Sequence, residues 1–161
     1  MNGPRLLVAG IGNIFLGDDA FGVEVVRELA REALPEGVRV VDYGIRGFDL
    51  AYGLTDGLDG AILVDAMARG GSPGTLYVVE PELPVEAGVA VETHAMHPAK
   101  VLLLARSLGG LCPWVRIVGC EPLTFGSEEE PAMDLSEPVR RAVSEAVRMI
   151  VELIRIFIDR R

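Results

Sequence analysis

Short apolar runs alternate with helical patterns along this chain, and that alternation confines it to a mostly parallel sheet whose strands are joined by helices. Arg5 to Gly10 is a brief apolar run closing on glycine and reads as a buried strand. Asp19 to Leu34 then puts Phe21, Val25, Val26, Leu29 and Ala33 on one helical face, with Glu24, Arg27, Glu28 and Arg31 turned away, and Pro35-Glu36-Gly37 stops it. Val38 to Asp42 is a second strand. Phe48 to Leu58 is a helix with Leu50, Ala51, Leu54 and Leu58 inward, and Ala61 to Val64 is a third strand buried on both faces.

The next connection breaks the pattern. Met67 to Gly74 holds Gly70, Gly71, Pro73 and Gly74 and is too short for a crossover helix, so Thr75 to Glu80 has to run antiparallel. Pro81 to Met96 is a long loop without a period. Pro98 opens a helix that Gly109-Gly110 ends, and Trp114 to Gly119 is the last strand. After an acidic, proline-bearing loop, Ser136 caps a final helix with Val139, Val143, Ile150, Leu153, Ile154 and Phe157 inward. The expectation is one domain over residues 1–161: an α/β fold, a three-layer α/β/α sandwich around a five-stranded sheet with one antiparallel strand.

Composition removes several classes of function. Half of the 161 residues are hydrophobic, enough for a real core. Twenty-four acids against 15 Lys and Arg give a net charge of −9, the wrong sign for a nucleic-acid partner. The apolar run Leu6 to Ile11 is broken at once by glycines, so neither a signal peptide nor a membrane span is expected. Cys112 and Cys120 read as parts of one strand, which would hold them roughly 25 Å apart, beyond disulfide reach. Two unpaired thiols fit a reducing cytosol.

In an open α/β sheet, sites form beyond the carboxyl ends of the parallel strands. There the topology gathers Asn13, Asp18 and Asp19 after the first strand, Asp42 after the second, Asp65 after the third, and Cys120-Glu121-Pro122 after the fifth. The loop ahead of the third helix adds His94 and His97, the chain's two histidines. Two carboxylates and an imidazole from separate loops make a divalent-metal site with open positions, and the imidazole shifts preference toward nickel, zinc or iron. Structural roles compete with this. Asp18 or Asp19 can cap the first helix, His97 flanks a helix start, Asn13 can build a turn, and Cys120 suits a buried apolar slot. Asp65 is harder to explain that way, because a lone acid after an apolar strand is costly to bury. Gly10-Ile11-Gly12 invites a dinucleotide reading, but Phe15 stands where the third glycine belongs and Asp18-Asp19 would repel a pyrophosphate.

The stretch Gly10-Ile-Gly-Asn-Ile-Phe-Leu-Gly-Asp-Asp-Ala-Phe-Gly22 closely resembles the first motif of the hydrogenase maturation proteases. Matches follow in family order: Asp42-Tyr-Gly-Ile-Arg-Gly-Phe-Asp-Leu50, Ile62-Leu-Val-Asp-Ala66, Thr93-His94 leading into Val101-Leu-Leu-Leu-Ala105, and Val118-Gly-Cys-Glu-Pro122. The resemblance implies an endopeptidase that removes the C-terminal extension of a nickel–iron hydrogenase large-subunit precursor after nickel insertion. It implies a metal site of Asp19, Asp65 and His94, with nickel supplied by the precursor. The alternative is a non-catalytic checkpoint that recognises the nickel-loaded precursor while another factor cuts it. Two positions depart from the family pattern. Asp19 stands where glutamate is common, and Arg46 follows Ile45 where many relatives carry threonine, offering a guanidinium for a carboxylate of the tail.

Overall fold

The computed structural model describes residues 3–83 and 97–160. Along the chain run β1 (Leu6–Ile11), a tight 3-10 turn (Gly17–Ala20), α1 (Phe21–Leu29), β2 (Val38–Gly44), α2 (Gly47–Leu54), β3 (Gly60–Ala66), β4 (Leu76–Val79), α3 (Pro98–Ser107), β5 (Trp114–Cys120) and α4 (Glu137–Asp159). The sheet order is β2-β1-β3-β5-β4. β1, β2, β3 and β5 are parallel, and β4 pairs antiparallel with β5 from Leu76 opposite Cys120 to Val79 opposite Ile117. The expected architecture is the observed one.

The period of two along each strand explains the layers. Leu6, Val8, Ile62, Val64 and Val118 face one way and pack with Phe21, Val25 and Leu29 of α1 and Ala146, Ile150 and Ile154 of α4. Leu7, Ala9, Ile11, Ala61, Leu63 and Ile117 face the other way, against Leu50, Ala51 and Leu54 of α2 and Val101, Leu102 and Ala105 of α3. A strand buried on both sides has no polar face left, which is why β1 and β3 read as continuous apolar runs.

Several boundaries differ from the sequence reading. The helix expected over Asp19 to Leu34 is shorter at both ends. Asp18 and Asp19 sit in the 3-10 turn that precedes α1, and neither side chain caps that helix. At the far end, Arg31 N–H bonds to Glu28 O and Glu32 N–H to Leu29 O, tightening the chain before Pro35 is reached. The second helix stops at Leu54, where Thr55 and Asp56 N–H turn back to Tyr52 and Gly53 carbonyls and Thr55 Oγ1 donates to Tyr52 O. Cys112 lies ahead of β5 rather than in it. Both thiols are free and buried. Ser136 does occupy the position before α4, but its hydroxyl does not cap the helix; it donates instead to the buried Asp18 carboxylate.

One glycine sets how closely α1 approaches the sheet. A Cβ at Gly22 would lie 2.1 Å from Val64 O and 2.4 Å from Ile11 O, so the first turn of α1 is wedged against the carboxyl ends of β3 and β1. Backbone oxygens cannot swing aside as a side chain can. Gly22→Ala should therefore push α1 outward and cost about 3 kcal/mol, lowering the melting temperature by roughly 6–12 °C. A calorimetric scan that finds Gly22→Ala as stable as the parent would refute this close approach.

Candidate active site

The sheet order reverses between β1 and β3: the chain leaves β1 toward β2 on one side and returns to β3 on the other. Such a switch point opens a crevice at the carboxyl ends, because the adjoining loops diverge. Asp19 reaches that crevice from the turn after β1, and Asp65 from the last residues of β3. The glycines of the first motif make this possible. A Cβ at Gly12, whose φ is +151°, would fall 1.9 Å from Asp19 O, so the loop can fold back over its own start only with hydrogen at that position. These glycines serve packing, not phosphate binding.

The two carboxylates are held in unlike settings. Asp19 is half-buried, and its Oδ2 accepts the Asn13 N–H at 2.9 Å. Burial raises its pKa, and the Asn13 bond offsets part of that rise. Asp65 is 6% exposed, and its Oδ1 accepts the N–H of Ala66 at 2.9 Å. Burial first, then the negative charge of Asp19, drives its pKa well above the ordinary aspartate value. The charge of Asp19 thus makes Asp65 harder to ionise, and a proton or a cation at Asp65 relieves that repulsion. Their donor chemistry fits a divalent cation. Among the described residues no group of three His, Cys, Asp or Glu side chains surrounds such a position. The third expected ligand, His94, lies outside the described residues, as does most of the loop that carries it.

Other residues of the rim have structural work. Asp18 is fully buried. Its oxygens accept Leu123 N–H at 2.7 Å, Thr124 N–H at 3.1 Å, Ser136 N–H at 2.7 Å and the Ser136 hydroxyl at 2.8 Å. Burial raises its pKa, but the bonds from Ser136, Thr124 and Leu123 together outweigh it and leave the group below the usual value. Asp18 therefore ties the first-motif turn to the loop ahead of α4, and Ser136 serves this tie instead of its own helix. Glu121 works in a similar way. Its Oε1 accepts Arg69 N–H, Gly71 N–H and the Tyr77 hydroxyl, fixing the short link into β4. Asn13 builds a turn, its Oδ1 accepting Phe15 N–H at 2.9 Å. His97 sits exposed ahead of α3 without a side-chain bond to its N-terminus. Burial pushes the Cys120 thiol up to about 12 and Cys112 up to about 11, so neither is a ready nucleophile. Arg46 closes its own turn: Nη2 donates to Asp42 O at 2.7 Å and Nε to Tyr43 O, with Asp49 at 3.6 Å.

The sequence reading passed over the apolar side chains on these same loops. Phe15, Ile45, Phe48 and Leu123 stay more than half exposed. For Phe15, Ile45 and Leu123, an apolar residue in a segment without a helical or strand period was the signal that could have found them; for Phe48 it was an apolar residue off the inward face of the second helix.

An α/β sandwich with one buried and one half-buried aspartate at its switch point has the architecture of an enzyme built for acid–base or metal-assisted hydrolysis. Comparison with known proteins narrows the class. The family model described as hydrogenase maturation protease matches residues 23–153. The Hydrogenase 2 maturation protease of Escherichia coli is 30% identical over 154 residues, covering 94% of this chain and 91% of that protein. Hydrogenase expression/formation protein HupD of Rhizobium leguminosarum is 33% identical over 155 residues, covering 94% and 75%. Among solved structures, the hydrogenase maturating endopeptidase HybD from Escherichia coli superposes with a TM-score of 0.77 at 29% identity, covering 94% and 92%. The hydrogenase maturation protease HycI from Thermococcus kodakarensis gives 0.67 at 27% identity, also covering 94% and 92%. The chain belongs to the hydrogenase maturation protease family, whose members are peptide-bond hydrolases.

Proposed function

We propose that this enzyme removes the C-terminal extension of a nickel–iron hydrogenase large-subunit precursor after nickel has been inserted, with Asp19, Asp65 and His94 as its catalytic and metal-contacting residues. The observation that carries the reading is the Asp65 carboxylate, buried beside Asp19 at the switch point of the sheet. Such a pair is destabilising without an occupant, and a cation brought in by the substrate relieves it. Nickel is then part of the substrate, and the enzyme distinguishes a loaded precursor from an empty one by whether its carboxylates find a partner.

A divalent cation in this position supplies a Lewis acid for a carbonyl oxygen or lowers the pKa of a water. The chain's own residues do the positioning. Asn13 N–H holds one oxygen of Asp19 and Ala66 N–H one oxygen of Asp65, and among the described residues no further hydrogen bond engages the second oxygens, which face a ligand in this reading. With its pKa raised by burial and by its neighbour, Asp65 is suited to hold and return a proton above the ordinary aspartate range. The reaction belongs in the cytosol, in keeping with two free cysteines. The described residues contain no helix long and apolar enough to cross a membrane.

The test uses purified components. Nickel-loaded precursor should shorten with this protein alone, and nickel-free precursor should stay intact. Asp19→Asn and His94→Ala should leave loaded precursor at full length while keeping the parent's circular dichroism. Equal cleavage of empty precursor would end the nickel reading, and normal processing by either variant would end the site assignment. Tight binding of loaded precursor with no cleavage would instead favour the checkpoint role.

A further inference from the structure

We infer that the loops beside the carboxylate pair form a docking surface for an apolar, positively charged face of a partner polypeptide; resting on the function proposed above, that partner is the large-subunit precursor. The exposed apolar side chains of this end come from three loops and from the first turn of α2, which carries Phe48. Phe15 and Leu16 follow β1, Ile45 and Phe48 follow β2, and Leu123 and Phe125 follow β5; Phe15, Ile45, Phe48 and Leu123 are between 57% and 67% exposed. Backbone bonds fasten these loops side by side. Gly12 N–H bonds to Gly44 O, joining the first loop to the second. On its other flank, Gly17 N–H bonds to Ala132 O and Asp18 N–H to Thr124 O, while the Asp18 carboxylate holds Leu123 and Thr124. The three loops are thus joined side by side, with the loop that presents Asp19 in the middle. Exposed aromatic side chains such as these three phenylalanines are enriched at the cores of protein interfaces.

Charge selects the occupant. Residues 121–136 contain no Lys or Arg, and Glu128, Glu129, Glu130 and Asp134 are exposed there. A cleft of about 560 Å³ continues from the patch at Ile14 and Met133 to between α1 and α4, where Glu24, Glu28 and Asp134 outnumber Arg140. Nucleic acid and anionic membrane surfaces are repelled by such a border, and a second copy of a chain of charge −9 would bring the same sign. A polypeptide face that pairs apolar residues with Lys or Arg satisfies both the patch and its border.

The experiment measures precursor binding and cleavage with the full chain. Phe15→Ser, Phe48→Ser and Phe125→Ser should each weaken precursor binding about tenfold, raising KM while kcat at saturation stays within about threefold. Their melting temperatures should match the parent's, since these side chains are exposed. Ile156→Ser, an equally exposed apolar position on α4, should leave KM unchanged. Glu128→Lys combined with Glu129→Lys should slow association and flatten its salt dependence. Parent-like KM in all three phenylalanine variants overturns the docking surface while leaving the proposed cleavage intact. A parent protein that neither binds nor cuts precursor overturns the proposed function and this inference together. Sedimentation showing a parent dimer that the phenylalanine variants lose would assign the patch to a second copy and overturn it as well.

Discussion

Asp65→Asn should leave a protein that melts higher at pH 8 and cleaves on the order of 10³-fold more slowly. The gain in stability follows from the pair itself. In the native state burial and the charge of Asp19 hold the Asp65 pKa well above 3.8, whereas in the unfolded chain it returns near that value. Below pH 3.8 Asp65 is protonated in both states and the substitution changes little. As pH rises past 3.8 the unfolded state releases its proton first, so the parent loses stability until the native pKa is passed, and the loss is constant beyond it. Asparagine fills the same space without the charge and escapes that loss. An improvement on the order of 2 kcal/mol at pH 8 is expected, the cost of keeping a charged carboxylate out of water. Differential scanning calorimetry in chelator across pH 3 to 8 checks it. A difference independent of pH, or a less stable variant at pH 8, would show that the pair is not strained. Together the two effects identify a site that sacrifices stability for function.

Asp18→Asn should do the opposite to stability, although the two carboxylates lie on the same rim. The parent side chain accepts four hydrogen bonds, from Leu123, Thr124 and both groups of Ser136. An amide offers one acceptor oxygen and turns an NH₂ toward buried donors, leaving at least one of them without a partner. The cost is about 3 kcal/mol, or roughly 6–12 °C in melting temperature. The pH dependence runs the other way from that of Asp65. Burial raises the Asp18 pKa, but its hydrogen bonds outweigh this and the native value falls below 3.8, so its contribution is present above 3.8 and lost as pH falls through the native value. The deficit of the variant should therefore be full at pH 7 and shrink in acid. A deficit that persists unchanged at pH 2 would mean that packing, not charge, holds the loops together.

Much of the fold was legible because burial is periodic. Leu6–Ile11 and Ala61–Val64 are apolar throughout, since both their faces meet helices, and the eight residues from Met67 to Gly74 leave no room for a crossover before the antiparallel β4. Helix ends were less legible. Asp19 falls within the helical pattern of α1, yet a 3-10 turn claims it, because the close approach of Gly22 to Val64 and Ile11 fixes where regular helix can begin. Ser136 has the right type and place for a cap, and only a carboxylate 118 residues away explains why its hydroxyl does other work.

The candidate site divides along the same line. The resemblance names Asp19, Asp65 and His94, whereas residue types alone leave open whether Asp18 or Asp19 has a structural role. The amino-acid order by itself determined the strand and helix sequence, the sign of the surface charge and the loops on which acids would collect, because these depend on local periodicity and composition. Only the tertiary structure decided that Asp18 is consumed by four hydrogen bonds while Asp19 and Asp65 repel one another across the switch point, and that three distant loops are joined side by side. Electrostatic coupling and the meeting of loops depend on distance through space, which residue order encodes only after the chain has folded.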